Sequence, residues 1–145
     1  MQVSQEVNFE HYSISRYDEG EITISLPLSK RHLKPTPGDE QIKTIINSEV
    51  LHHSLIIMPD RLIEDWQPHD INSLEQAHFD VLLPLQLEVI LLGTGKTLQW
   101  PNPEVTAKLT ALGIGVEVMD TGAACRTYNI LMADQRRFAA ALIMD

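Results

Sequence analysis

The N-terminal part of the chain alternates between apolar and polar residues on both sides of a turn. From His11 to Leu28, two alternating runs flank Asp18-Glu19-Gly20, and the glycine tolerates a positive φ. A period of two favours strands, so this segment is predicted to be a β-hairpin. The polar stretch 30–40, which holds two prolines and a glycine, is predicted to be an exposed loop. A short additional strand is predicted at Ile42, Ile45 and Ile46.

Three short apolar runs follow, and each ends at a residue that stops a strand. They cover residues 55–58, 88–92 and 116–119, and the residues after them are Pro59, Gly93 and Asp120. Nearly unbroken apolar strands are typical of a sheet that is covered on both faces. Helical signals between the runs indicate right-handed crossovers, which join parallel strands. We therefore predict that these three strands are parallel and adjacent.

The segments between the strands have helix-capping signals. Ser73 and Gln76 have the capping-box spacing at the start of an apolar-faced helix that Pro84 ends. Asn102 suits the N-cap of a second helix, which Gly113 closes. The apolar stripe of that second helix is Val105, Leu109 and Leu112.

The C-terminal part predicts helix throughout. One helix covers residues 123–132, with Ile130 inward and Tyr128 buried, and Arg126 is predicted to face the strand ends near Gly93-Thr94-Gly95. A second helix begins at the cap Asp134, and its inward residues are Phe138, Ala141 and Leu142. The predicted fold class is α/β: a three-layer domain whose central mixed sheet has parallel core strands, with an N-terminal β-hairpin and helices on the faces.

Composition narrows the class of protein. The length of 145 residues and the 43% apolar content predict one globular domain, residues 1–145. A net charge of −9 opposes general binding to nucleic acid. The single cysteine, Cys125, permits no intrachain disulfide and fits a reducing compartment. Neither a bilayer-spanning apolar stretch nor a secretory signal in Met1–Glu10 is found, so a soluble cytoplasmic protein is predicted.

The sequence Gly93-Thr94-Gly95-Lys96-Thr97 ends like a nucleotide-binding P-loop. The full motif places a glycine five residues before Gly95, where this chain has Ile90 in the middle of a strand. Pro101 and Pro103 also place the next helix start near Asn102, too late for its N-terminus to contact phosphates. ATP or GTP hydrolysis is therefore excluded, and a tight turn after the strand is the favoured interpretation.

Open α/β sheets bind ligands beyond the carboxyl ends of their parallel strands. The segments predicted at those ends, which we call the carboxyl edge, are residues 59–61, 93–96 and 120–126, and each carries one cation. In an acidic chain, three cations at one edge would attract an anion, unless they are solvated or paired with neighbouring carboxylates. The predicted anion-site residues are Arg61, Gly93, Thr94, Gly95, Lys96, Thr121 and Arg126.

The remaining candidate residues give only weak support for a reactive cysteine or a metal site. Cys125 is placed in the first turn of a helix, where the helix dipole could lower its pKa, although core packing is the commoner role of a lone cysteine. His52-His53 and His69-Asp70 lack metal-site spacing, because adjacent residues on a strand point to opposite faces. No catalytic motif is found, and no cofactor or metal is predicted.

Two stretches carry a resemblance to a known family. They are SLIIMPDRLIEDW at residues 54–66 and GIGVEVMDTGAACRTYNILMADQRRFAAALI at residues 113–143, with Gly93-Thr94-Gly95 between them. Over residues 12–143 the chain resembles a family of small α/β domains of unassigned biochemical function that includes the mitochondrial respiratory complex I assembly factor. The resemblance implies a three-layer fold around a mixed sheet and no established catalytic residues.

Two functions are consistent with these features. The first is a non-enzymatic domain that binds protein partners and helps to assemble a membrane-associated complex, which the resemblance and the lack of catalytic motifs favour. The alternative is an enzyme or small-molecule binder that uses the carboxyl edge. A polar cleft at that edge would favour the alternative, whereas a filled edge and an exposed apolar patch elsewhere would favour protein binding.

Overall fold

The structure, a computed structural model, describes residues 10–145 and begins with the hairpin that the sequence predicts. β1 (Ser13–Asp18) and β2 (Glu21–Ser25) are antiparallel, and Gly20 has a φ of 78° in the turn between them. Glycine has no Cβ, so this left-handed conformation costs it little. The hairpin prediction is confirmed.

A second antiparallel pair follows the hairpin. β3 (His32–Thr36) and β4 (Asp39–Ile46) pair around Pro37-Gly38, where Gly38 has a φ of 88°. The loop predicted over residues 30–40 is wrong, because its proline and glycine form the turn of a ribbon. The strand predicted around Ile42–Ile46 is confirmed as the end of β4. We call residues His32–Ile46 the β3–β4 ribbon.

The remaining strands complete two further sheets. β5 (Ser48–Leu51) pairs with β2 and gives a three-stranded sheet, β1-β2-β5. The other strands are β6 (Leu55–Met58), β7 (Arg61–Ile63), β8 (Val89–Gly93), β9 (Gly115–Met119) and β10 (Phe138–Leu142). They form the central sheet in the order β7-β6-β10-β8-β9. β10, β8 and β9 are parallel, whereas β6 is antiparallel to β10 and to β7. The mixed sheet with a parallel core is therefore as predicted.

The position and direction of β6 differ from the prediction. The sequence predicts the run at 55–58 beside the run at 88–92 and parallel to it, but β10 lies between them and β6 runs in the opposite direction. The parallel rule applies to strands joined by one helical crossover. After β6 the chain instead turns at Pro59-Asp60 and pairs back as β7. No single helical crossover joins β6 to β8, so the rule does not apply to these two strands. Of the three predicted neighbours, only the run at 88–92 and the run at 116–119 are adjacent and parallel.

β10 is a strand where the sequence predicts a helix capped by Asp134. All five of its residues are buried, between β6 on one side and β8 on the other. Three successive alanines, residues 139–141, have the highest helix propensity, and this local preference is overridden by the sheet. The unbroken apolar run from Phe138 to Met144 is the same signal that identifies the other central strands.

Two α-helices follow the parallel strands. α1 (Pro103–Ala111) begins at Asn102, whose side chain accepts a hydrogen bond from the Glu104 N–H at 3.0 Å, as the sequence predicts. α2 is Thr121–Leu131. Leu112 and Ile130, predicted to face inward, are 59% and 69% exposed, so the predicted stripes are wrong at these positions. Tyr128 and Asn129 beside Ile130 are buried, and Leu131 packs against the core, so Ile130 lies on the outer side of α2.

The helix predicted from Ser73 is instead a pair of 3₁₀ helices, Ile71–Ser73 and Gln76–Leu85. Asp70 is the cap of the first, because its carboxylate accepts a hydrogen bond from the Ser73 N–H at 2.7 Å. Ser73 therefore ends a helix rather than starting one, and the predicted cap is wrong. Pro84 lies inside the second 3₁₀ helix.

Both faces of the central sheet are covered, which confirms the three-layer prediction. Leu55, Ile57 and Leu91 pack on one face with the β1–β2 hairpin and α2. Ile56, Ile90 and Leu92 point to the opposite face, which the 3₁₀ helices and α1 cover. Successive residues of each strand thus enter different core layers.

Two buried residues of α2 attach it to the hairpin. The Tyr128 side chain is 0% exposed, and its hydroxyl donates to the Tyr12 carbonyl at 2.8 Å. Asn129 bonds both backbone groups of Ile14: its Nδ2 donates to the carbonyl at 2.6 Å, and its Oδ1 accepts from the N–H at 3.1 Å. β1 lies at the edge of its sheet, and the amide gives the Ile14 backbone a donor and an acceptor close to the point where the pairing with β2 becomes irregular. The prediction that Tyr128 is buried is confirmed.

Candidate functional site

The carboxyl edge is closely packed where β8 meets the start of α2. A Cβ added at Gly93 would lie 2.9 Å from Thr121 Oγ1 and 3.0 Å from Thr121 Cα. Real Cβ contacts essentially never fall below 3.0 Å, so only glycine permits this approach. Gly93 therefore allows Thr121, the first residue of α2, to pack directly against the end of β8.

The Thr121 hydroxyl joins three segments at this edge. It donates to the Ile143 carbonyl at 2.7 Å and accepts from the Gly95 N–H at 2.8 Å. The side chain is 0% exposed, and its backbone N–H donates to the Gly95 carbonyl at 2.9 Å. Both the donor and an acceptor position of the hydroxyl are thus occupied by the protein, and none of its surface reaches solvent.

Thr94 is used in the same way within its own loop. Its hydroxyl donates to the Thr97 carbonyl at 2.8 Å and accepts from the Gln99 N–H at 3.1 Å. Its backbone N–H donates to the Met119 carbonyl at 2.9 Å, and the residue is 1% exposed. The two hydroxyls proposed from the sequence as ligand contacts therefore hold the loop in place.

At this edge a side-chain carboxylate of the protein, that of Asp145, accepts a hydrogen bond from the backbone. The Lys96 N–H donates to Asp145 Oδ1 at 3.0 Å. Gly95 has a φ of 103°, and a Cβ there would overlap the Asp145 carboxylate. An external anion at this loop would have to displace Asp145.

Lys96 and Arg126 do face one shallow depression of about 250 Å³, as the sequence predicts for Arg126. Three carboxylates share its lining, those of Asp18, Glu19 and Asp120. Burial, with neighbouring negative charge adding to it, raises the pKa of Tyr17 in the same depression to about 12. The local potential is therefore not that of an anion-attracting edge, and anion binding here stays a prediction.

Arg61 lies at the other end of the central sheet. Leu142 of β10 pairs with Gly93 of β8 and with Leu55 of β6, so β6 begins at the carboxyl edge and ends away from it. Arg61 pairs with Met58 at that far end. The prediction that Arg61 shares the carboxyl edge is wrong, because it assumed a parallel β6.

Cys125 is fully buried in α2, and burial raises the pKa of its thiol to about 12. The Arg126 charge lowers the pKa, but less than burial raises it. The dipole effect considered from the sequence is thus outweighed, and the thiol stays protonated at neutral pH. Among residues 10–145, no group of three or more His, Cys, Asp or Glu side chains is placed to hold a metal ion.

Millimolar ATP or GTP is expected to leave the melting temperature of the protein unchanged. The N–H groups of Thr94, Gly95 and Lys96 already donate to Met119, Thr121 and Asp145, so these three backbone donors are not available for phosphates. Thermal unfolding with and without nucleotide and magnesium measures this. A clear rise in melting temperature would contradict it, since a ligand selective for the folded state must stabilise that state.

For the β3–β4 ribbon, the exposure predicted over residues 30–40 is correct, but the pairing of two strands with an apolar surface was missed. All its residues except Thr36 and Ile46 are exposed, and its two strands pack chiefly on each other. Large apolar side chains are exposed along it: Leu33 at 58%, Ile42 at 57% and Ile45 at 61%. The available signal was the spacing of strand-forming residues around Pro37-Gly38, which a loop assignment overlooked.

In the part of the chain that the structure describes, no helix has the length and apolar character needed to cross a membrane. The sequence prediction about a secretory signal concerns Met1–Glu10, of which only Glu10 lies within the described residues.

Comparison with known proteins identifies several relatives. Residues 38–143 match the model of the family described as "Protein of unknown function (DUF498/DUF598)". The chain is 37% identical over 100 residues to "NADH dehydrogenase (ubiquinone) 1 alpha subcomplex assembly factor 3" of Danio rerio, which covers 68% of this chain and 57% of that protein. It is 31% identical over 100 residues to the "13 kDa major membrane protein" of Francisella tularensis subsp. holarctica, covering 68% of this chain and 81% of that protein.

A solved structure extends the likeness to the whole fold. The NMR structure of a Xanthomonas campestris protein superimposes with a TM-score of 0.71 and 33% identity, covering 99% of this chain and 92% of that one. The chain spans little more than half the length of the Danio rerio assembly factor.

Proposed function

This chain belongs to the DUF498/DUF598 family of proteins of unknown function, and from that premise we propose that it is a non-enzymatic protein-binding domain that helps to assemble or stabilise a protein complex. The observation that carries the proposal is the apolar surface of the β3–β4 ribbon. The filled carboxyl edge supports it, because the hydroxyls and backbone donors there are already used by the protein. The name of the Danio rerio relative, an assembly factor, agrees with such a role.

The ribbon and the residues that flank it in the sequence carry more than half of the large exposed apolar side chains. Of the nine large apolar residues that are exposed in the described chain, five lie between residues 28 and 50. Leu33 and Ile45 are directly opposite each other on β3 and β4, so they form one cross-strand apolar pair. Isolated two-stranded ribbons are marginal in water, and a partner that covers this pair would stabilise the ribbon as well as gain apolar contact.

The ribbon and the residues just before it differ in charge from the rest of the chain. The ribbon itself, with two cations and two carboxylates, has no net charge, and Lys30 and Arg31 bring residues 28–46 to a formal charge of +2, whereas the whole chain carries −9. These side chains are Lys30, Arg31, Lys34, Lys43, Asp39 and Glu40. The partner we infer is therefore a protein surface with apolar residues bordered by carboxylates, since complementary charge favours association.

The backbone of the ribbon favours a protein over a lipid surface. Its sheet has two strands, so the outer edges of both β3 and β4 lack a neighbouring strand. In hydrocarbon, open sheet edges leave N–H and carbonyl groups without hydrogen bonds, at a cost of several kcal/mol for each group. A protein partner can pair with such an edge by adding a strand.

Replacement of Leu33 and Ile45 by serine is expected to weaken partner binding at least about ten-fold, because buried apolar anchors dominate interface energetics. A photoreactive amino acid at position 45 cross-links the partner in the native cells, and mass spectrometry identifies it. Calorimetry with the purified partner then gives the Kd of the wild type and of the double variant. Both side chains are exposed, so the fold should be retained.

The matched control replaces Leu112 and Ile130 by serine, since these are equally exposed apolar residues on the helices. Its Kd is expected to equal that of the wild type. An unchanged Kd for the ribbon variant, or an equal loss in the control, contradicts the proposal. Co-sedimentation with phosphatidylglycerol vesicles that requires Leu33 and Ile45 would show that the ribbon binds lipid, and would also overturn it.

A further inference from the structure

A cavity of about 630 Å³ lies at the opposite end of the central sheet from the carboxyl edge. We call this end, where β8 and β10 begin, the amino edge. The cavity is lined by the β6–β7 turn, the end of the second 3₁₀ helix and the start of β10, and it is open to solvent. Its volume falls within the usual range for small-molecule sites.

Three guanidinium groups line this cavity, those of Arg61, Arg136 and Arg137. Asp60 is the one carboxylate among its lining residues. The depression at the carboxyl edge has the opposite balance, with three carboxylates and two cations. Although the chain has a net charge of −9, cations therefore outnumber carboxylates in the concave site at the amino edge.

The three arginines differ in what they already bind. The Arg137 side chain donates to the Leu85 carbonyl at 2.6 Å, and its backbone N–H donates to Glu88 Oε2 at 2.8 Å, so its position is fixed. Arg61 and Arg136 are exposed, and within residues 10–145 neither forms a hydrogen bond or ion pair through its side chain. Two guanidinium groups are thus available to a ligand beside a third that is anchored.

The wall of the cavity next to the arginines is apolar. Met58 ends β6, Leu87 precedes β8 and Phe138 begins β10, and all three contribute to the lining. Guanidinium groups bind the two oxygens of a carboxylate or phosphate group in a fork geometry. An apolar wall beside such groups suits a ligand whose charged head is attached to an apolar body.

We propose that the arginine cavity at the amino edge binds an organic anion, whose carboxylate or phosphate group lies between Arg61 and Arg136 and whose apolar body contacts Leu87 and Phe138. None of the residues that line the site belongs to the β3–β4 ribbon, so the ligand-binding proposal is tested independently of protein binding. It also differs from the carboxyl edge, because Arg61 lies at the far end of β6.

Calorimetric titration of the full chain tests the site with phenyl phosphate, inorganic phosphate and benzyl alcohol as probes. We expect phenyl phosphate to bind more tightly than inorganic phosphate, and benzyl alcohol not to bind. Arg61→Gln and Arg136→Gln are each expected to weaken phenyl phosphate binding by about ten-fold or more, as for loss of a charge-assisted hydrogen bond. Both residues are exposed, so melting temperatures of the variants should match the wild type.

Lys96→Gln and Arg126→Gln at the carboxyl edge are the matched controls, and their affinity should equal that of the wild type. Absence of phenyl phosphate binding, or unchanged affinity in Arg61→Gln and Arg136→Gln, overturns the proposal. If only the control variants lost affinity for phenyl phosphate, the anion site would be at the carboxyl edge. That result would also overturn the proposal. Equal affinity for phenyl phosphate and inorganic phosphate would contradict the role of the apolar wall.

Discussion

Tyr128→Ala is expected to lower the free energy of unfolding by about 3–5 kcal/mol, as for truncation of large aromatic residues in cores. The ring is 0% exposed and packs against Phe138 with ring centroids 5.3 Å apart. Its hydroxyl also donates to the Tyr12 carbonyl, so the substitution leaves a buried carbonyl without its donor. Urea unfolding followed by tryptophan fluorescence measures the change.

Two variants separate the contributions at this position. Tyr128→Phe keeps the ring and loses only the hydroxyl, so a smaller cost of about 1–2 kcal/mol is expected. Arg126→Ala, two residues earlier on the exposed side of α2, should cost less than about 1 kcal/mol. If Arg126→Ala proved as damaging as Tyr128→Ala, the arginine would be a structural residue and the carboxyl edge would lose a ligand candidate.

Thr121→Val is expected to cost about 2–4 kcal/mol, although valine has nearly the shape of threonine. The hydroxyl donates to Ile143 and accepts from Gly95, and both of those backbone groups would lose their partner in a site closed to water. Each unsatisfied buried group costs about 1–3 kcal/mol. Chemical denaturation of the purified variant gives the value.

Thr121→Ser retains the hydroxyl and is expected to keep most of the stability. A ligand-contacting threonine would behave differently, because its loss would change binding and leave stability nearly intact. Similar stability of Thr121→Val and the wild type would therefore contradict the structural role that the hydrogen bonds indicate.

The fold class was predictable because the central strands carry strong local signals. β6 and β8 are buried on both faces and are continuous apolar runs. The start of α1 is indicated by Asn102 at the N-cap and Pro103 at the first helical position. β10 carried the same apolar signal, but its three alanines also favour helix, and only the neighbouring strands decide between the two. Strand order and the direction of β6 depend on which segments meet in space, and local patterns do not contain that information.

The candidate site was harder to predict for the same reason. Lys96 and Arg126 lie together as expected, because Lys96 is in the loop after β8 and Arg126 is in α2, which follows the adjacent parallel strand β9. Arg61 was misplaced through the direction of β6, and the grouping of Arg61 with Arg136 at the amino edge joins residues 75 positions apart. The use of the Thr94 and Thr121 hydroxyls within the fold follows from close packing at Gly93, which sequence alone does not show.

Backbone amide hydrogen exchange, measured with and without the purified partner, tests the central proposal most directly. If the partner covers the β3–β4 ribbon, exchange should slow in residues 32–46, whose sheet edges otherwise lack neighbouring strands, and stay unchanged in α1. Slower exchange confined to residues 93–97 and the start of α2, with the ribbon unchanged, would place the partner at the carboxyl edge and contradict binding through the ribbon.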